Sequence, residues 1–186
     1  RHPVLDGTGA DSRHQFRHAG GQRGLPVVID FVVQVPAHGL QPVVEIATHT
    51  DDTMPIRGAK GNATLRYGDD MVVWTRQPVA ESRVEDAELV FAGYGIIAPE
   101  YGWNDYAGLD MRGKIAVVLV NDPGFATQDP KLFTGNAMTY YGRWTYKYEE
   151  ALRQGAAGLF VVHETKPAGY PWEVVRNGSA SQIDLR

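Results

Sequence analysis

The chain has 186 residues, 43% apolar and 22% charged, with a formal net charge of −4 and no cysteine. This is the mixture of a folding chain, and an acidic balance without a basic, aromatic-interleaved stripe argues against nucleic acid as a partner. The lack of cysteine excludes disulfides, thiolate metal sites and cysteine nucleophiles, and no apolar run reaches the ~18 residues that span a bilayer.

Arg1 stands where a start Met would, and the text reads as cut at both ends. Residues 1–41 hold four of the six histidines (His2, His14, His18, His38), four arginines and no lysine. Only Leu25 to Val35, rich in valine and bounded by prolines, has the pattern of a strand. The rest reads as irregular chain, or as text outside the native frame. From Pro42 the pattern becomes regular. Val43 to Thr48 reads as a strand; Ala63 to Tyr67 and Met71 to Thr75 read as a hairpin turning at Gly68-Asp69-Asp70. Glu88 to Ala92 is a further strand, closed by Gly93-Tyr94-Gly95 and followed by a loop dense in aromatics and glycines.

The continuous apolar run Ile115 to Val120 predicts a strand covered on both faces, and Leu159 to Val162 predicts another. Between them Arg143 to Gln154 predicts a helix, with Trp144, Tyr148, Ala151 and Leu152 on one stripe and Glu149, Glu150, Arg153 and Gln154 facing out. Gly155 is a natural helix stop. Strand, helix and strand form one crossover, expected to be parallel and right-handed. The fold class is therefore α/β, β-rich, with a mixed sheet.

The candidate chemistry is thin. His49-Thr50-Asp51 after a strand offers an imidazole and a carboxylate to one ion, but zinc needs at least three protein ligands, and a polar loop reads the same way. Gly93-Tyr94-Gly95-Ile96-Ile97-Ala98 matches a dinucleotide fingerprint, yet Pro99 to Gly102 leave no room for the helix that must follow; the glycines fit a bend instead. Tyr67-Gly68-Asp69-Asp70 reads as a turn, and Asn177-Gly178-Ser179 is a chance-level sequon. No serine sits in a nucleophile elbow, and His163, beside Glu164 at a strand end, reads as a structural or rim residue. The aromatic loops are more distinctive, with seven of nine tyrosines between Tyr94 and Tyr148. Tyr101, Trp103, Tyr106, Tyr140, Tyr141 and Trp144 are the candidate binding residues, suited to a peptide or partner domain, or equally to covering a small sheet.

Four blocks carry a resemblance: residues 88–106 (ELVFAGYGIIAPEYGWNDY), 113–125 (GKIAVVLVNDPGF), 135–151 (GNAMTYYGRWTYKYEEA) and 155–164 (GAAGLFVVHE). Together they resemble the protease-associated domain of bacterial M28-type zinc aminopeptidases over roughly residues 42–177. The resemblance implies a swivelling β/β/α domain without catalytic residues, preceded by a doubtful 1–41 extension and followed at 178–186 by the start of a linker. It implies a periplasmic or secreted parent whose own peptidase domain holds two zinc ions and receives the peptide substrate. No cofactor or metal ligand is assigned to this chain. His49 and Asp51 lie upstream of the domain and count as decoys. The alternative is a free-standing peptide- or carbohydrate-binding module that uses the Tyr/Trp loops.

Overall fold

A computed structural model describes residues 27–31, 43–47, 50–75, 82–178 and 181–185, with backbone alone at 27–31, 43–47 and 181–185. In chain order it contains β1 (Val27–Phe31), β2 (Val43–Ala47), β3 (Thr53–Gly58), β4 (Gly61–Arg66), β5 (Met71–Thr75), β6 (Leu89–Phe91), β7 (Ile97–Ala98), β8 (Trp103–Asn104) and β9 (Ile115–Leu119). The helices α1 (Pro123–Thr127) and α2 (Trp144–Arg153) follow, then β10 (Gly158–Val162), α3 (Thr165–Ala168), α4 (Trp172–Gly178) and β11 (Ser181–Leu185). The class is mixed α/β.

The central sheet has five strands in the order β5-β1-β10-β9-β6. Strands β6, β9 and β10 run parallel to one another, β1 is antiparallel to β10, and β5 is parallel to β1. The apolar runs behave as strands buried on both faces should, sending alternate residues to two separate cores. Ala116, Val118, Leu159, Val161, Val72 and Trp74 enter one core. Ile115, Phe160, Met71 and Val73 enter the other. The first core lies under α2 and α4, which contribute Ala151 and Val175. The second is covered by Met54, Ile56 and Leu65 of the β3–β4 hairpin. Hairpin, sheet and helices thus make three layers.

The parallel strand–helix–strand unit stands as expected, with β9 paired to β10 in register from Ile115↔Gly158 to Leu119↔Val162. Two other expectations need correcting. The hairpin is β3–β4, not 63–67 with 71–75; after Tyr67↔Met71, the single bridge between those two segments, β5 leaves for the central sheet. Burial explains the difference, because β4 is exposed at every position except Leu65 while Met71 to Trp74 are all buried. A half-solvated ribbon and a doubly covered strand belong to different layers. β1 falls within the strand expected at Leu25 to Val35 and joins the central sheet, and β11 pairs with β2.

Secondly, Glu150 does not face out. It is buried at the C-terminal end of α2, where its carboxylate accepts from Arg153 (2.9 Å from Nε), Gln154 (2.7 Å) and the Tyr146 hydroxyl (3.3 Å). The buried residues of α2 are Tyr146, Lys147, Glu150 and Ala151, so the inward face is rotated from the apolar stripe. Two long polar side chains are drawn inside because each finds partners there. Trp144 and Tyr148 are left half-buried at the margin of the helix-side core.

Candidate functional site

In open α/β sheets ligands gather outside the carboxyl ends of parallel strands. Here β6, β9 and β10 deliver three loops to one such rim: Gly93–Gly95, Asn121–Asp122 leading into α1, and His163–Glu164 leading into α3. Between them lies a cleft of about 630 Å3 whose lining includes Tyr94, Asn121, Phe125, His163, Glu164 and Trp172.

Polar bonds, most of them part-buried, fix these loops. The Asp105 carboxylate accepts from the backbone N–H of Tyr94 (3.1 Å) and of Ile96 (3.0 Å), and the Lys147 ammonium donates to the Tyr94 carbonyl (2.6 Å) and the Tyr141 carbonyl (3.2 Å). The first loop is therefore gripped from both sides. Its two glycines are required: both have positive φ, and a Cβ would stand 2.5 Å from an Asp105 oxygen at Gly93 and 2.6 Å from Val118 Cγ1 at Gly95. Asn121 donates from Nδ2 to the Pro167 carbonyl (2.7 Å), joining the end of β9 to α3. Asp122, fully buried, caps α1 by accepting from Gly124 N–H (3.1 Å) and also accepts from Thr139 N–H (2.9 Å) and Thr139 Oγ1 (2.7 Å).

Burial dominates the site's electrostatics. It lowers the Lys147 amine to about 7, against the opposing pull of Asp105 and Asp122. It raises the Asp105 carboxyl, against the hydrogen bonds it accepts, and raises the Tyr94 phenol, helped by the charges of Glu164, Asp105 and Asp122. His163 is only 1% exposed, and burial lowers its pKa, which keeps the ring neutral near pH 7. Neither ring nitrogen has a partner that meets hydrogen-bond geometry, and the Tyr170 backbone opposes the lowering by burial. The ring instead packs near Tyr170 (centroids 5.4 Å apart) and Trp172 (5.9 Å). An unpartnered buried donor or acceptor costs on the order of 1–3 kcal/mol. Trp172 is itself held, donating from Nε1 to the Gly68 carbonyl at 2.9 Å.

The sequence candidates fall elsewhere. Tyr101 stacks on Phe133 (4.3 Å), while Trp103 (5.8 Å) and Tyr141 (5.7 Å) meet Phe133 edge-on. Trp144 stacks on Trp74 at 5.6 Å, and Tyr106 is buried in the helix-side core. The Tyr141 hydroxyl donates to Glu100 (2.6 Å), which pushes its pKa up to about 12. Of the six, Tyr140 alone is largely open at 52% exposure, with its hydroxyl on Glu149. The rings pack against neighbouring aromatics and do not converge on one open face. Asp51 is exposed, His49 lies outside the described residues, and no three His, Asp or Glu side chains gather around one point among the described residues. The 3-10 turn Pro99–Tyr101, three residues long, stands where a dinucleotide site would need a helix.

Sequence reasoning passed over the cleft residues. The signal was present: Asn121 and His163-Glu164 directly follow the two most continuous apolar strands, the position where such folds place ligands. Comparison with protein-family models, with curated proteins and with solved structures finds no match for this chain.

Proposed function

We propose that the chain is a noncatalytic protease-associated domain of an M28-type zinc aminopeptidase, acting in substrate access or in contacts with the peptidase domain. One observation carries this reading: the four sequence blocks behind the resemblance fold into one contiguous body. Block 88–106 forms β6 to β8, 113–125 forms β9 and enters α1, 135–151 leads into α2, and 155–164 forms β10. The order of layers, hairpin then sheet then helices, accords with the β/β/α arrangement expected of that domain. The half-buried carboxylate of Asp105 and the buried ones of Asp122 and Glu150 are engaged in bonds that hold loops and a helix end, as suits a binding or spacing role. On this reading the parent is periplasmic or secreted, with its zinc in the peptidase domain.

The purified chain, incubated with leucine p-nitroanilide and excess zinc, is expected to release no nitroaniline. Chelator-sensitive, zinc-dependent release would overturn the proposal. Reading the coding sequence past Arg186 tests the parent separately, since a continuing frame should present a His-x-Asp strand and a later Glu-Glu pair. A stop codon there would favour the second reading, a free-standing binding module, which the cleft at the strand ends also supports.

A further inference from the structure

The cleft at the carboxyl ends of β6, β9 and β10 is lined by two charges, on Glu164 and Lys166, that no described residue answers. Glu164 is half-buried and Lys166 is exposed; both line the cleft, and neither carboxylate nor ammonium has a hydrogen-bond or ion-pair partner among the described residues. Glu164 is the extended residue just before α3 and Lys166 lies within that helix, and no ion pair joins the two. The wall beside them is apolar and aromatic, made by Tyr94, Phe125, Pro167 and Trp172, and Trp172 is anchored by its bond to Gly68. Beneath lies His163, buried, with two ring nitrogens unpartnered.

From the unpaired Glu164 and Lys166 on one lining, the apolar wall and the unpartnered His163 below, we propose that this cleft binds a compact zwitterion with an apolar body, of the class of a free aromatic or branched α-amino acid. A ligand with only a positive charge would satisfy Glu164 and be repelled by Lys166; one with only a negative charge would meet the reverse. A zwitterion answers both, and its side chain lies against the aromatic wall, where burial adds a nondirectional contribution. The volume of about 630 Å3 accommodates such a molecule. The inference does not depend on a peptidase domain following this chain, so it stands or falls apart from the reading above.

The test is an NMR titration of the isotope-labelled full chain, following the His163 ring and Glu164 amide resonances. Three probes are compared: L-phenylalanine, 2-phenylethylamine and 3-phenylpropionate, which share the ring and differ in charge. Phenylalanine is expected to give saturable shifts at both residues with a Kd in roughly the millimolar range, and each single-charge analogue is expected to bind at least about tenfold more weakly. Glu164→Gln and Lys166→Gln, both rim substitutions, should each weaken phenylalanine by about tenfold and leave the spectrum of the free protein otherwise unchanged. Absence of saturable shifts with phenylalanine, equal binding of either analogue, or full retention of binding in both variants would overturn the assignment.

Discussion

Replacing Lys147 with methionine is expected to destabilise the domain by about 3–5 kcal/mol, the range seen when one partner of a buried charged network is removed. The substitution keeps most of the stem volume and removes the donors. The carbonyls of Tyr94 and Tyr141 lose their bonds, and Asp105 and Asp122 lose the one buried cation acting on both. Urea unfolding at pH 7 reads the loss directly, and an unchanged midpoint would show that the network contributes nothing. The pH dependence supplies a second check with a definite sign. In the fold the amine is lowered from 10.5 to about 7, so between those values the unfolded chain binds more protons than the native one. The native state therefore gains stability as pH rises through that window, by up to about 1.4 kcal/mol per unit, and below pH 7 the penalty is fully present and constant. The methionine variant lacks this gain, so the gap between wild type and variant should widen from pH 7.5 to 9.5.

Asp122→Ala is expected to cost about 3 kcal/mol. A lost helix cap accounts for about 1 kcal/mol, and buried donors left without acceptors account for about 1–3 kcal/mol. Three donors are affected, Gly124 N–H, Thr139 N–H and Thr139 Oγ1, and two of them belong to the loop that leads to α2. Hydrogen exchange should therefore quicken at Gly124 and Thr139 beyond the global change in stability. Asp122→Asn retains one acceptor oxygen and should cost less. If both variants unfold within 0.5 kcal/mol of wild type by the same urea assay, the capping account fails.

What was legible in the sequence is what depends on short-range pattern. Ile115 to Leu119, Trp144 to Arg153 and Gly158 to Val162 were readable because a continuous apolar run, a helical period and a closing glycine each leave a local signature. The strand pairing of Met71–Thr75 was not, because a turn at Gly68–Asp70 looks the same whether the next strand folds back or passes on to another layer. Strand β3 was hidden by Pro55 in its middle, which is tolerated in a two-stranded ribbon at the surface. The inward turn of Lys147 and Glu150 was invisible for a related reason. Helical periodicity sorts residues by polarity, whereas burial of these two is decided by carbonyls and side chains contributed by Tyr94, Tyr141, Arg153 and Gln154. The aromatic loops left a recognition surface and a cover for the sheet equally open. Rings such as Tyr101 and Trp103 look like a recognition surface until Phe133, far along the chain, is found between them.

The placement of β1 has a consequence for how the chain assembles. This strand, the earliest in sequence of those described, sits between β5 and β10 and is the sole link between β5 and the parallel trio. The sheet cannot close until Val27–Phe31 meets Gly158–Val162, a loop of more than a hundred residues, so closure is expected to come late and slowly. A chain that lacked its first forty residues would keep the β6-β9-β10 ladder but leave β10 with an unpaired flank, the kind of open edge through which identical molecules add to one another.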